Sequence, residues 1–138
     1  MAELSSPRDV VQRLHRALNA HDIEAFVGCF DPAYRSEQPV HPDRAFGGVE
    51  QVRKNWSSLF ASLPDLAAEL RTLSEDGDQV WSEWHWTATQ SDGTPFDWRG
   101  VILMGTAHGR ITWARLYMAP TQFEGEGIDE AVREMTDR

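Results

Sequence analysis

Residues 66–120 read LAAELRTLSEDGDQVWSEWHWTATQSDGTPFDWRGVILMGTAHGRITWARLYMAP, and this stretch decides the fold. Apolar and polar residues alternate along much of it, which is typical of strands with one buried face. Three short glycine-containing motifs interrupt the alternation, at residues 75–78, 91–95 and 108–109, and such motifs close β-hairpins. The stretch therefore predicts four antiparallel strands joined by tight hairpins, at residues 66–73, 80–90, 96–106 and 110–119.

Helical patterns precede these strands. Ser6 and Pro7 suit the cap and the first position of a helix, and an apolar stripe at helical spacing follows them. Asp22 caps a short second helix, which we expect to continue to Asp31-Pro32. The third helix has the clearest pattern, with apolar residues at helical spacing from Val49 to Leu63.

Two shorter elements complete the prediction, a strand over Tyr34–Val40 and a short helix in the C-terminal tail, residues 121–138. Helices followed by a run of antiparallel strands indicate an α+β fold. The chain has 138 residues, of which 41% are hydrophobic, and that suffices for one core. We therefore predict a single domain over residues 1–138, with its core at about residues 7–120.

The amino-acid composition of the chain excludes several classes of binding partner. The formal net charge is −9, and a strongly acidic surface repels phosphate backbones and anionic lipid, so we expect neither nucleic-acid nor membrane binding. Cys29 is the single cysteine, which excludes an intrachain disulfide and suggests a buried, inert thiol. The sequence shows neither a signal peptide nor an apolar run of about 20 residues, so we expect a cytoplasmic protein.

Three local motifs carry a resemblance to a known superfamily: Leu18-Asn19-Ala20-His21-Asp22, Phe46-Gly47-Gly48-Val49-Glu50, and His108-Gly109-Arg110-Ile111 leading into Trp113–Tyr117. In this order and spacing, from about Pro7 to Pro120, the chain resembles the SnoaL-like branch of the nuclear transport factor 2 superfamily. The resemblance implies a cone-shaped α+β barrel, in which a curved antiparallel sheet wraps around the N-terminal helices and encloses one pocket.

Alternation along the strands suggests which side chains face this pocket. Trp84 and Trp86 share one face of their strand, and Arg115 and Tyr117 share one face of the last strand. The resemblance implies that reactive groups lie on the last strand, so we predict that both of these faces are concave. The predicted ligand-binding residues are Tyr34, Ser36, Gln38, Trp56, Trp84, Trp86, Trp98 and Trp113. Such an aromatic pocket suits a planar or ring-shaped ligand.

Four residues are candidates for catalysis: Arg115, Tyr117, His41 and Glu37. A guanidinium on an apolar strand needs an acceptor, which for Arg115 is a ligand carboxylate or enolate, Glu37, or another carboxylate across the sheet. His41 lies in a loop at the expected pocket mouth, where an imidazole can act as acid or base. The five histidines have no metal-ligand spacing and no cofactor motif is present, so we predict neither a metal nor a cofactor.

Three functions remain open. The first is an enzyme that acts on a hydrophobic ring or carbonyl substrate by acid/base chemistry, as the resemblance to ketosteroid isomerase and polyketide cyclases implies. In those relatives a pocket Asp is the base, and the matching positions here carry Trp84 and Arg115. The second is a module that binds a small hydrophobic molecule without chemistry. The third is an interaction domain, with a homodimer formed through the outer sheet face around Trp81 and His85.

Overall fold

The computed structural model describes residues 5–137. Its elements, in chain order, are α1 (Pro7–Ala20), α2 (Ile23–Val27), β1 (Phe30–Glu37), a 3₁₀ turn (Pro42–Arg44), β2 (Phe46–Gly47), α3 (Val49–Ser62), β3 (Ala67–Asp76), β4 (Gln79–Thr89), β5 (Pro95–Ala107), β6 (Arg110–Pro120) and α4 (Ile128–Thr136). None of the helices in residues 5–137 has the length and hydropathy of a membrane span.

Helix α1 begins and ends as its sequence directs. Ser6 and Asp9 form a capping box, in which each side chain bonds the other residue's backbone N–H. At the other end His21 adopts the left-handed conformation, and its N–H bonds the last carbonyls of the helix. The Asn19 amide then makes two hydrogen bonds with the backbone of Ala68, at 2.7 and 3.0 Å, which fixes α1 against β3.

The strands form one curved sheet in the order β2-β1-β6-β5-β4-β3. The four long strands, β3 to β6, are antiparallel neighbours as predicted, and β1 pairs with β2 antiparallel and with β6 in parallel. The sheet is open, with β2 and β3 at its edges. Its concave face packs on the helices, in the cone-like α+β arrangement that the resemblance implies.

Strand β1 begins earlier than predicted. Helix α2 ends at Val27, and Phe30 already lies in β1, paired with Ile111. The Asp31-Pro32 pair, taken from the sequence as a helix stop, lies inside this strand. Proline is compatible with a strand where its missing N–H has no ladder partner, and here the β1–β6 register shifts between Phe30 and Arg35.

A β-bulge in β6 reverses the predicted facing of the side chains that follow Thr112. Gly105 pairs with Trp113 and Thr106 with Ile111, so Thr112 is one residue in excess of its partner strand. Ile111 is therefore concave and fully buried, whereas Trp113 lies on the opposite side. After the bulge the concave residues of β6 are the even-numbered ones, Ala114, Leu116 and Met118.

The outer surface of the sheet, called the convex face below, is defined by Trp81, Val101, Leu103, Trp113, Arg115 and Tyr117, which lie side by side through the pairs Trp81–Leu103–Arg115 and Val101–Tyr117. Trp113 covers Gly105 so closely that a β-carbon on this glycine would lie 1.9 Å from the indole Nε1. Gly105 is thus required for the close approach of the ring.

Candidate functional site

The cone encloses an apolar inner cavity of about 50 Å³. It lies between the first two helices, α3 and the concave face of the sheet. Its lining consists almost wholly of aliphatic and aromatic side chains: Leu14, Leu18, Phe26, Phe30, Tyr34, Trp56, Trp84, Trp86, Ile102, Met104, Ala114 and Leu116.

A second, outer cavity of about 170 Å³ adjoins the first. The two share Phe30, Tyr34, Trp56, Trp86 and Leu116 as common walls. The outer cavity adds three polar groups: Ser36 of β1, Gln38 just after β1 and Asn55 of α3. Phe46, Val52 and Leu59 complete its lining. The site therefore grades from an apolar interior to a mouth lined by hydroxyl and amide groups.

Trp84 is a structural wall of this site. Its indole Nε1 donates to Ser82 Oγ at 2.8 Å, and Ser82 Oγ donates to the Ile102 carbonyl at 2.7 Å. All polar capacity of the buried indole is used within the sheet, so Trp84 offers a ligand only its ring. The edge of the His15 imidazole packs against the same ring, with centroids 5.5 Å apart.

Trp86 differs from Trp84 in its hydrogen bonding. It lines both cavities and packs edge-on against Trp56, with ring centroids 5.5 Å apart. Its Nε1 is buried and has no hydrogen-bond partner among the described residues. A buried donor without a partner is costly, and this one belongs to a residue on the walls of both cavities.

Tyr34 is the titratable residue of the cavity walls. Burial raises the pKa of its phenol to about 12, and the nearby Ser36 hydroxyl offsets part of that rise. Because the two residues are two positions apart on β1, both side chains face the cone. At neutral pH the Tyr34 phenol is protonated and can donate a hydrogen bond.

Neither cavity is lined by a carboxylate, an imidazole, an amine or a guanidinium among the described residues. His15 and His21 lie at the back of the cone, where their Nε2 atoms bond the carbonyls of Ala68 and Leu66 at 2.8 and 2.7 Å. No three His, Cys, Asp or Glu side chains of residues 5–137 come together as a metal site. The site as built thus offers neutral hydrogen-bond donors and acceptors and apolar contact.

The four predicted catalytic residues lie outside both cavities. The prediction that Arg115 and Tyr117 face the pocket is wrong, because the bulge at Thr112 turns them onto the convex face. Glu37 pairs with Arg115 in register and is exposed, and His41 is exposed in the loop after β1.

The predicted ligand-binding residues divide into two groups. The structure places Tyr34, Ser36, Gln38, Trp56, Trp84 and Trp86 on the cavity walls. Trp113 lies on the convex face for the same reason as Arg115, and the guanidinium of Arg115 lies 4.8 Å from the centroid of its ring. Trp98 stacks on Phe96 with centroids 5.7 Å apart and lines a separate open groove with Phe123 at the end of the sheet.

Sequence reasoning missed two parts of the mouth. Asn55 lies on the inner side of α3, where its Oδ1 accepts a hydrogen bond from Gln51 at 2.7 Å. Arg44, in the 3₁₀ turn, donates to Gln38 at 3.1 Å just outside the cavity and lines the groove beyond it. The helical spacing of Asn55, one residue before Trp56, could have indicated the first, whereas the loop position of Arg44 carries no such pattern.

Comparisons with known proteins agree on the fold. A SnoaL-like domain matches residues 11–114 of the chain. A proposed SnoaL-like polyketide cyclase from Jannaschia sp. CCS1 is 23% identical, with a TM-score of 0.70 over 81% of this chain and 84% of that one. IdmH, a proposed polyketide cyclase from Streptomyces antibioticus, is 20% identical, with a TM-score of 0.73 over 83% and 92%.

A third solved structure, AclR, a proposed hydroxylase from Streptomyces galilaeus, is 15% identical, with a TM-score of 0.74 over 94% of this chain and 93% of that one. Identities this low establish a shared fold and no shared chemistry. Comparison with curated proteins found no match.

Proposed function

We propose that this chain, which belongs to the SnoaL-like domain family, binds a small one-ring molecule bearing a carbonyl oxygen, and that it holds this ligand through neutral donors rather than through an acid–base pair. The ring occupies the aromatic interior, and the oxygen accepts hydrogen bonds at the boundary between the two cavities. The single observation that carries the proposal is the composition of the cavity walls, where neutral donors, among them the unpartnered Trp86 Nε1, adjoin an apolar interior and no carboxylate or imidazole of residues 5–137 is present.

The volumes of the two cavities suit a ligand with one ring rather than several. Drug-sized ligands occupy about 300–1,000 Å³, whereas a cavity of about 150 Å³ accepts a benzene ring. The outer cavity is about 170 Å³ and the inner one about 50 Å³. Together they accommodate one ring with a short substituent, and a fused multi-ring ligand requires the cone to open.

Two donors support a carbonyl acceptor. The Tyr34 phenol, with its pKa of about 12, stays protonated at neutral pH. The Trp86 Nε1 is buried without a partner among the described residues, and a ligand oxygen would satisfy it. Both residues line both cavities, so one ligand at the boundary can contact both.

The same walls argue against acid/base catalysis. Proton abstraction needs a base within hydrogen-bond reach of the substrate. The histidines nearest the cone bond backbone carbonyls, and the exposed Glu37 and His41 line neither cavity. A neutral phenol with a raised pKa donates a hydrogen bond well and accepts a proton poorly.

Paired ligands test the binding mode. Tryptophan fluorescence would be titrated with acetophenone and with ethylbenzene, which has nearly the same shape and lacks the carbonyl oxygen. We expect both to bind saturably and acetophenone to bind more tightly. Tyr34→Phe should weaken acetophenone binding by about 2- to 12-fold, the worth of one hydrogen bond, and leave ethylbenzene binding unchanged. Tyr117→Phe, which removes the phenol on the convex face, is the matched control.

A second measurement separates binding from catalysis. Acetophenone carries exchangeable protons next to its carbonyl, so incorporation of deuterium from D₂O can be followed by NMR with and without the protein. We expect no acceleration. Catalysed exchange would mean that a base reaches the ligand, and equal loss of both ligands in Tyr34→Phe would mean that Tyr34 shapes the cavity without bonding the carbonyl.

A further inference from the structure

Two open grooves adjoin the outer cavity at its mouth. The first groove shares Gln38 and Asn55 with the cavity and adds Arg44, from the 3₁₀ turn. The second groove shares Asn55 and Leu59 with the cavity and adds Lys54, from α3. Asn55 therefore lies where the cavity and both grooves meet, and a ligand that extends out of the cavity enters a region with a cationic side chain in each groove.

The charge at this mouth is opposite in sign to that of the chain as a whole. The chain has 22 acidic residues against 13 basic ones, but neither groove is lined by a carboxylate among residues 5–137. Asp43 and Glu50, the acidic residues nearest in sequence to Arg44 and Lys54, line neither groove. Neither cation forms an ion pair within the described part of the chain. Unpaired cations beside a cavity attract anionic ligands.

The amide side chains at the mouth are oriented as donors. Arg44 Nη1 donates to Gln38 Oε1 at 3.1 Å, and because a guanidinium can only donate, the Gln38 oxygen must face it. Asn55 Oδ1 accepts a hydrogen bond from Gln51 Nε2 at 2.7 Å. In both side chains the oxygen is engaged, and the NH₂ group has no acceptor among the described residues. The amides thus offer N–H groups beside the two cations.

A carboxylate is the ligand group that matches such a set of donors. It only accepts hydrogen bonds, and its planar shape allows it to take two parallel bonds from one guanidinium. The hydrogen bond to Gln38 holds the Arg44 guanidinium beside the outer cavity and leaves its other N–H groups for a ligand. The backbone is also fixed there, because the Arg44 N–H bonds the His41 carbonyl at 3.0 Å.

We propose that the ligand of the cavity is a keto acid, whose carboxylate extends through the outer cavity to Arg44 at the mouth. This inference rests on the binding mode proposed above, in which the ring and the carbonyl oxygen lie deeper. Lys54, in the other groove, adds positive potential without contact. Because Arg44 is exposed, its contribution lies between that of a surface ion pair and that of a charged hydrogen bond, or about 3- to 10-fold in affinity.

Acids and their uncharged amides test the proposal. β-Benzoylpropionate and γ-benzoylbutyrate carry a carboxylate on chains of different length beyond a phenyl ketone, and each would be titrated beside its primary amide by tryptophan fluorescence at low salt. We expect at least one acid to bind about 3- to 10-fold more tightly than its amide. Arg44→Gln should abolish this preference and leave the binding of the amides and of acetophenone unchanged.

Arg110→Gln is the matched control. It removes the same charge from an exposed position at the start of β6 that lines neither the cavities nor the two grooves, so this variant should keep the preference for the acid. In about 1 M NaCl, where the screening length is about 3 Å, the preference should shrink in the wild-type chain, whereas acetophenone binding should not weaken.

The neutral ketone separates failure of this inference from failure of the binding mode. Acids that bind no better than their amides, or a preference that survives Arg44→Gln, would overturn the role of Arg44 even where acetophenone binds as expected. Failure of acetophenone itself to bind would overturn the binding mode and this inference together.

Discussion

The buried phenol of Tyr34 makes the stability of this domain depend on alkaline pH in a defined window. Its pKa in the folded chain is about 12, against an ordinary value of about 10. Below pH 10 the phenol is neutral in both the folded and the unfolded state, so its protonation does not affect stability there. Between pH 10 and 12 the unfolded chain releases the proton first, and the folded state loses free energy relative to it.

The size of this loss follows from the shift. Each pKa unit corresponds to about 1.36 kcal/mol, so a rise from about 10 to about 12 predicts a loss of about 3 kcal/mol in the free energy of unfolding, complete above pH 12. The Tyr34→Phe variant has no phenol at this position and lacks this component. Other groups that titrate in the same range affect both proteins alike and cancel in the difference.

Urea unfolding of the wild-type chain and of Tyr34→Phe, measured at intervals from pH 9 to pH 12.5, would give the two stability curves. We expect their difference to be constant up to pH 10 and then to shift by about 3 kcal/mol against the wild type. The difference in phenolate absorbance between the folded proteins should show Tyr34 ionising near pH 12. Parallel stability curves, or ionisation of Tyr34 near pH 10 in the folded chain, would refute the argument that burial holds this phenol neutral.

Three further predictions concern single contacts, each measured by the midpoint of urea unfolding. Gly105→Ala should destabilise the domain by about 1–3 kcal/mol because the indole above it must move, whereas Gly127→Ala, where a β-carbon meets no atom within 4 Å, should change little. Ser82→Ala should cost about 1–3 kcal/mol because it leaves the buried indole N–H of Trp84 without an acceptor; an unchanged midpoint would mean that water replaces the hydroxyl. Asn19→Ala removes both hydrogen bonds between α1 and the start of β3 and should cost about 1–3 kcal/mol, and a loss below 0.5 kcal/mol would contradict this role.

Periodicity predicted the elements that bury one continuous face. Helix α3 was expected over Val49–Leu63 and occupies Val49–Ser62, and the strand expected at residues 80–90 is β4, Gln79–Thr89. In β4 the alternation is unbroken, so Trp84 and Trp86 lie on the concave side as expected. Local sequence patterns suffice to predict an element when one of its faces is buried and the other is exposed to solvent along its whole length.

The rest of the fold and the cavity mouth depend on contacts between residues that are distant in sequence. Strand β1 pairs with β6 in parallel, and no local pattern near Asp31-Pro32 indicates that this segment pairs with a strand about 80 residues further along the chain. The mouth of the cavity combines Ser36 and Gln38, from the end of β1 and the residue after it, with Asn55 of helix α3. Only the folded arrangement brings these three residues together. Within residues 5–137, no carboxylate lies on the cavity walls, and this likewise depends on side-chain direction, which composition does not reveal.

The bulge at Thr112 also bears on how such domains diverge. Deletion of Thr112 would leave the pairs Gly105–Trp113 and Thr106–Ile111 in place, so Arg115 and Tyr117 would stay on the convex face. A chain of the same length that kept Thr112 but lost the bulge would instead turn Arg115 and Tyr117 to the concave face in exchange for Ala114 and Leu116, and would so supply the apolar cavity with a guanidinium and a second phenol. Two SnoaL-like chains aligned without a gap along this strand can carry matching residues that point in opposite directions, so transfer of catalytic residues between them requires the position of the bulge as well as the alignment.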